Sequence, residues 1–332
     1  MTTNMLPKQS ILRRHEWRLG EAVWLVVAIA CYFLFPQYLS VGTSVLIMVL
    51  LVLSYDILLG FAGVLSLSHA VFFGLGAYMA GWISLAGWTE PVSIVLVAAV
   101  AGAVLAALVG PFLLRLTGLP LMMVTLALAV LVYEAGHKAT RITGGDDGLP
   151  GIQFAPILGV FEWGLGGKTS YVYCLVWLVL IFIVLKRLVA SPLGIMLQGI
   201  RENAARMRLI GNRVLPHLTL AYVISGAVAA IAGALFTQAN AFVGLGVFAL
   251  DTSIDVLVML VLGGIGSLHG ALIGAPVYML LKHFSSQVNP FYWMLIIGVM
   301  LIAVVMFGRG GFLGIAGALV RRFGSDKPGR AP

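Results

Sequence analysis

The chain of 332 residues is 61% hydrophobic and only 10% charged, and its mean hydropathy is +1.06. Soluble globular proteins have about a quarter of their residues charged, so this composition excludes a soluble domain and predicts a protein that crosses a membrane many times. The net charge of +8 is concentrated in short polar intervals, which is typical of cytoplasmic loops and not of a nucleic-acid binding surface. Cys31 and Cys174 lie within apolar runs, so neither a disulfide framework nor a thiolate metal site is expected.

Apolar runs along the chain predict an all-α, polytopic transmembrane helical bundle of about ten spans. Basic residues dominate both ends of the chain, which places both termini in the cytoplasm and requires an even number of crossings. The run at 252–262 is short for a crossing, and the count falls to nine if this run is re-entrant. The runs lie at 22–35, 41–59, 60–79, 92–114, 120–136, 171–185, 218–238, 252–262, 268–281 and 291–307.

The charged intervals divide the chain into a cytoplasmic segment at 1–21, a transmembrane domain at 22–308 and a cytoplasmic tail at 309–332. No small-residue cleavage site follows the first apolar run, so this run is expected to be a retained span and not a signal peptide. Within the transmembrane domain, the interval 138–170 is glycine-rich and balanced in charge, which predicts a periplasmic loop. The interval 190–217, called the basic segment below, has almost only positive charges and is predicted to be cytoplasmic.

The basic segment is predicted to contain one helix over 195–210, which ends at Gly211. Apolar residues recur on one side of this helix at three- and four-residue spacing, so that side needs a surface to pack against. The surface is either the membrane and the protein's own helix ends, or a cytoplasmic partner protein. The apolar side consists of Leu197, Ile200, Ala204, Met207 and Ile210.

Two glycine-rich motifs predict at least one broken helix at membrane depth. The first reads Gly60-Phe-Ala-Gly and precedes His69, and the second reads Gly263-Gly-Ile-Gly and precedes His269. A Tyr-Met pair follows each motif, which suggests an internal repeat, but a ten-span topology gives both copies the same orientation and argues against an inverted repeat.

The sequence contains no signature of an enzyme. Gly167-Lys168-Thr169 lacks the leading glycine of a phosphate-binding loop, and the histidines have no metal-ligand spacing. We therefore expect no catalytic residue, metal site or cofactor in this chain. Four acidic residues lie in or beside apolar runs, where each either belongs to a proton or cation relay or lies at a helix end facing the lipid headgroups. These are Asp56, Glu134, Asp251 and Asp255.

Four motifs follow one another along the chain, namely Gly60-Phe-Ala-Gly-Val-Leu-Ser-Leu-Ser-His, Thr143-Gly-Gly-Asp-Asp-Gly-Leu, Gly199-Ile-Arg-Glu-Asn-Ala-Ala-Arg and Gly263-Gly-Ile-Gly-Ser-Leu-His-Gly. Together, and over about 41–315, they resemble the branched-chain amino-acid permease family of ABC importers. In that family, two homologous membrane subunits pair, two cytoplasmic ATPases bind ATP and Mg²⁺, and a periplasmic binding protein delivers the solute. The resemblance implies a permease subunit that is embedded in the lipid bilayer of the bacterial inner membrane. It implies no binding of nucleic acid.

Branched-chain amino acids are the solutes that the resemblance implies first. Urea, short amides and aromatic acids are alternatives within the same family. Two alternatives lie outside it, namely an ion-coupled secondary carrier and a structural membrane anchor for an enzyme complex. An importer subunit needs an external ATPase, whereas a carrier does not, so uptake that depends on the ATPase distinguishes the two classes.

The resemblance also implies roles for three groups of residues. Residues of the basic segment couple the permease to its ATPases, because Glu202-Asn-Ala-Ala resembles the Glu-Ala-Ala coupling stretch of importers with Asn203 inserted. The pathway group either lines the translocation pathway or only packs helices together. The loop group either receives the binding protein or only caps a helix end. The coupling group is Arg201, Glu202, Asn203, Ala204, Ala205, Arg206 and Gly211. The pathway group is Gly63, Ser66, Ser68, His69, Gly263, Gly264 and Gly266, and the loop group is Thr143, Gly144, Gly145, Asp146 and Gly148.

Overall fold

The computed structural model describes residues 19–157, 161, 163, 167–288, 295, 298, 299 and 302. Within these residues the regular structure is helical, which confirms the predicted all-α class. The long helices are α1 (Leu19–Leu34), α2 (Leu39–Tyr55), α3 (His69–Leu85), α4 (Pro91–Leu113), α5 (Leu119–Lys138), α6 (Lys168–Ala190), α7 (Pro192–Leu209), α8 (Val214–Asn240), α9 (Leu250–Gly263) and α10 (Leu268–Val288).

Five described helical segments are long and apolar enough to cross a membrane. The pair α9 and α10 is a sixth candidate, in which the two helices are bent by 116° at the break between them. The predicted termini at 1–18 and 309–332 lie outside the described residues, and so does nearly all of the predicted run at 291–307. The five segments are Pro36–Phe61, Pro91–Leu113, Leu119–Lys138, Lys168–Ala190 and Val214–Asn240.

Helix α8 lies at the centre of the bundle, where it packs against α2, α3 and α4. Small residues allow the backbones to approach closely. A Cβ atom added to Gly233 would lie 1.8 Å from the carbonyl oxygen of Phe73 on α3. A Cβ atom added to Gly102 on α4 would lie 2.6 Å from the carbonyl oxygen of Gly226 on α8. Such contacts are the usual basis of helix association where both lipid and protein are apolar.

Helix α2 continues into a π-helical stretch, Asp56–Phe61, before the chain leaves helical geometry. Residues 62–68 have no regular structure, and Gly63 within them has a φ of +72° that favours glycine. Helix α3 then begins at His69. This connection returns the chain into the core of the bundle, because most of its residues are buried.

Candidate coupling and pathway site

The basic segment begins where α6 ends. Ser191 has extended backbone angles, and Pro192 then occupies the first turn of α7, a position where its missing N–H is no loss. At Asn203 the backbone leaves helical geometry, with φ −160° and ψ 96°. The side-chain Oδ1 of Asn203 accepts a hydrogen bond of 2.9 Å from the backbone N–H of Arg206. Asn203 therefore caps a second short helix, and the prediction of one continuous helix over 195–210 is wrong.

The helix of the basic segment stops at Gly211, as predicted. Gly211 has a φ of +86°, which an L-residue with a side chain rarely adopts. Its N–H donates to the carbonyl of Arg208 over 3.0 Å, and the N–H of Asn212 donates to the carbonyl of Met207 over 3.1 Å. This pair of bonds satisfies the last helical carbonyls and stops the helix.

The apolar side of the segment divides into a buried part and an exposed part. Leu197 and Ile200 are buried against the rest of the bundle, at 0% and 5% exposure. Leu209 and Ile210 at the other end are 88% and 71% exposed. Leu197 and Ile200 therefore pack on the protein's own helices, which is one of the two predicted surfaces. Leu209 and Ile210 are not covered by any of the described residues.

The predicted coupling residues lie mostly on the outer surface of the segment. Glu202, Asn203, Ala205 and Arg206 are exposed, and Ala204 is half-buried. Their position leaves them free to contact another protein.

Arg201 differs from its neighbours because its side chain reaches back to the transmembrane helices. Its Nη1 donates a short hydrogen bond to the carbonyl oxygen of Gly60, in the π-helical stretch that ends α2. Its aliphatic stem crosses Gly63, where an added Cβ atom would lie 2.8 Å from Cγ of Arg201. One predicted coupling residue therefore contacts the first glycine motif directly.

The second glycine motif meets the first at the same place. The N–H of Gly266 donates to Oδ1 of Asp56 over 2.8 Å. A Cβ atom added to Gly266 would lie 2.7 Å from Nη1 of Arg201 and 3.0 Å from the carbonyl oxygen of Gly60. We call the group Asp56, Gly60, Gly63, Arg201 and Gly266 the glycine junction.

Sequence reasoning assigned neither Gly60 nor Asp56 of the glycine junction to a site group, and of these two Asp56 has the ionisable side chain. Its side chain is completely buried, so the alternative that it faces the lipid headgroups is wrong. The side chains of Asp56 and Arg201 both lie against Gly60 and Gly266. The sequence feature that could have identified Asp56 was an acidic residue in an apolar run, four positions before the first glycine motif.

The remaining glycines of the second motif shape the turn between α9 and α10. A Cβ atom on Gly263 would lie 2.0 Å from the carbonyl oxygen of Gly270, so the two helices meet there at backbone distance. Gly264 has a φ of +110°, a conformation that favours glycine. Gly263 and Gly264 therefore serve helix packing and the turn in this structure.

Ser66, Ser68 and His69 form a buried polar network with α8. Nε2 of His69 lies 2.8 Å from Oγ of Ser225, which donates to a backbone carbonyl of α2. Oγ of Ser68 lies 2.9 Å from Oγ of Ser66 and 3.0 Å from the hydroxyl of Tyr222. These bonds hold the non-helical connection between α2 and α3 against α8.

A cavity of about 140 Å³ opens on the other side of this connection. It lies between residues 63–65, the turn that joins α4 to α5, and the first turns of α5 and α8. Gly63 is exposed at its wall, whereas the three polar side chains of the network are not among its lining residues. Of the predicted pathway group, Gly63 is thus the member that reaches this space.

The loop group closes the end of α5. The hydroxyl of Thr143 donates to the carbonyl of Gly136 over 2.7 Å and accepts from the N–H of Gly145 over 3.2 Å. A Cβ atom on Gly144 would lie 1.9 Å from the carbonyl oxygen of Gly148. The glycines therefore make a compact cap.

Two carboxylates of the same loop are exposed. Asp146 contacts Nδ1 of His137 over 3.0 Å, and Asp147 is likewise on the surface. The loop combines a buried cap with an acidic outer surface.

Two of the other acidic residues flagged in the sequence are exposed, and the third links helices. Glu134 and Asp251 are exposed. Oδ2 of Asp255 on α9 pairs with Nζ of Lys282 on α10 over 2.7 Å, and Oδ1 accepts a short hydrogen bond from Tyr278. No group of three His, Cys, Asp or Glu residues suited to a metal ion occurs in the part of the chain that the structure describes.

Comparison with known proteins assigns the chain to a family. The sequence model of the family described as branched-chain amino acid transport system / permease component matches residues 37–305. Two relatives, from Salmonella typhimurium (strain LT2) and Escherichia coli (strain K12), are each named high-affinity branched-chain amino acid transport system permease protein LivM. Each is 28% identical over 312 residues, which cover 86% of this chain and 72% of the relative. No solved structure shows a significant match. Since the family match extends over most of its length, the chain belongs to the branched-chain amino acid permease family, whose members are multi-pass membrane proteins of transport systems.

Proposed function

We propose that this chain is the membrane-spanning permease subunit of an ABC importer that transports branched-chain amino acids. Its partners are a homologous second permease subunit, two cytoplasmic ATPases that bind ATP and Mg²⁺, and a periplasmic binding protein. The observation that carries the proposal is the basic segment, which is anchored in the bundle at one end and exposes an apolar pair at the other. The family and the names of the relatives support the solute.

The charge distribution and the packing together support ten crossings of the bacterial inner membrane, with both termini in the cytoplasm. Gly266, in the turn between α9 and α10, lies against Arg201 of the basic segment. Val243, before α9, accepts a hydrogen bond from Leu149 of the loop at 138–170. Helix α9 therefore runs from the side of that loop to the side of the basic segment. This direction favours a full crossing of the membrane by α9, with the glycines forming the break before α10.

The exposed end of the basic segment suits a protein partner. Leu209 and Ile210 offer apolar surface, and exposed cations surround them at Arg206, Arg208 and Arg213. Apolar anchors with a charged rim are common at protein interfaces, and the cations direct the contact toward an acidic groove. We assign this end to the ATPase.

The test is to replace Leu209 and Ile210 with serine. The complete complex, with both permease subunits, the ATPases and the binding protein, is reconstituted into liposomes, and ATP-dependent leucine uptake is measured. We expect uptake and ATPase co-purification to fall together, because the docking surface has been lost.

Ile142→Ser is the matched control, since it removes a 58% exposed isoleucine at the opposite side of the protein. Full uptake by the double serine variant would exclude this end as the ATPase site. Uptake by the permease subunits alone, without ATPases, would replace the importer with a secondary carrier. Competition of labelled leucine by urea, an amide or an aromatic acid would identify a different solute of the same family.

A further inference from the structure

We propose that Arg201 and Asp56 form the link through which movement of the basic segment reaches both glycine motifs. The inference rests on the proposed importer function, and it concerns which residues couple ATP hydrolysis to transport. Both residues belong to the glycine junction, where segments from α2, α7 and the α9–α10 turn meet.

Arg201 is placed to transmit movement because its backbone lies in the basic segment and its side chain contacts the end of α2. The backbone lies two residues before the bend at Asn203, at the end of the α7 half that Leu197 and Ile200 anchor in the bundle. The guanidinium donates to the carbonyl of Gly60, where the helical geometry of α2 ends. A cation at a helix C-terminus also interacts favourably with the helix dipole. A shift of the segment thus acts directly on the end of α2.

Asp56 extends the link to the second motif. One carboxylate oxygen accepts from the N–H of Gly266, and the other has no hydrogen-bond partner among the described residues. A buried carboxylate with an unsatisfied oxygen is costly unless a positive charge lies nearby. The guanidinium of Arg201 lies beside the same two glycines, Gly60 and Gly266, that contact Asp56. Loss of Arg201 would therefore disturb the contact between Asp56 and the α9–α10 turn.

The three glycines leave the junction no free space. A Cβ atom would lie 1.9 Å from Oδ1 of Asp56 at Gly60, 2.8 Å from Cγ of Arg201 at Gly63 and 2.7 Å from Nη1 of Arg201 at Gly266. Close-packed contacts transmit displacement because they cannot absorb it. A displacement of Arg201 therefore acts on both motifs.

The experiment measures the number of ATP molecules hydrolysed per leucine imported by the complete reconstituted complex. Arg201→Gln keeps a long polar side chain without the charge, and Asp56→Asn keeps an oxygen that accepts from Gly266. We expect each variant to hydrolyse ATP near the wild-type rate when the binding protein is present. Uptake should fall about tenfold, the effect expected for the loss of one charge-assisted hydrogen bond. A general loss of folding would instead lower both rates in parallel.

Two further variants complete the design. Arg115→Gln removes an exposed cation in the turn between α4 and α5, outside both the basic segment and the junction, and its ATP-to-leucine ratio should stay at the wild-type value. The double variant Arg201→Gln/Asp56→Asn should be no more uncoupled than either single variant, because both remove one link.

A wild-type ratio in Arg201→Gln, or effects that multiply in the double variant, would overturn the proposal. Arg201→Gln keeps the Cβ and Cγ atoms that contact Gly63, and thermal unfolding of the purified permease checks that the bundle is intact. This variant then decides the matter even if Asp56→Asn does not assemble. If the wild-type complex itself shows no ATP-dependent uptake, the proposed importer function fails and not the link alone.

Discussion

The backbone N–H of Gly266 donates a hydrogen bond of 2.8 Å to the carboxylate of Asp56, which lies 210 positions earlier in the chain. This bond brings two glycine motifs together that the sequence shows as separate segments. Arg201 completes the contact from a third segment. Two breaks in the helical backbone therefore lie side by side, next to the segment that we assign to the ATPase.

Gly266→Ala should destabilise the protein more than a change at a glycine with a similar backbone. Gly266 has a φ of +82°, and a Cβ atom there would lie 2.7 Å from Nη1 of Arg201 and 3.0 Å from the carbonyl oxygen of Gly60. Gly87 has a φ of +94° and nothing within 4 Å. Both substitutions strain the backbone, but only Gly266→Ala also displaces Arg201. We expect Gly266→Ala to cost about 1–3 kcal/mol more, measured as thermal unfolding of the purified permease in detergent. Equal losses in the two variants would show that the junction tolerates a methyl group.

Asn203→Ala should loosen the second half of the basic segment. The substitution removes the acceptor for the Arg206 N–H, and a lost N-cap costs about 1 kcal/mol. Hydrogen exchange of the backbone at 204–209 should become faster, and leucine uptake should fall because the apolar end is less well oriented. Asn203→Ser keeps a capping oxygen without adding a charge and should retain both properties. Unchanged exchange in Asn203→Ala would contradict the capping role.

Thr143→Val should destabilise the cap on α5 without affecting the basic segment. Valine has the same shape but removes the hydroxyl that bonds Gly136 and Gly145. Because the site is buried, unpaired groups should cost about 1–3 kcal/mol in unfolding free energy. Thr143→Ser retains the hydroxyl and is the control. If both variants melt at the same temperature, the hydroxyl contributes nothing.

Labelling can decide whether α9 crosses the membrane. In a background without Cys31 and Cys174, single cysteines replace Phe242 before α9 and Ile265 after it, which are 45% and 42% exposed. A membrane-impermeant maleimide should label Phe242→Cys from the periplasmic side and Ile265→Cys from the cytoplasmic side. Labelling of both from one side would show a re-entrant pair and reduce the count to nine crossings.

Composition and motif spacing predicted the helical class, the family and the stop at Gly211, because these depend on average polarity or on residues close in sequence. The break at Asn203 was missed because the apolar spacing continues through it, while the side chain competes locally for a backbone N–H. The role of Asp56 was missed for a different reason. Its partners lie on two distant segments, and no local pattern marks such a contact.

The tight fit around Arg201 has a practical consequence for protein engineering. A chimera that receives the basic segment of another permease would bring a new side chain against Gly60, Gly63 and Gly266. Because these positions accept so little extra volume, the exchange would work only if Asp56 and the three glycines were transplanted with the segment. The set of residues that must be exchanged together to pair such a permease with a different ATPase is therefore discontinuous in sequence.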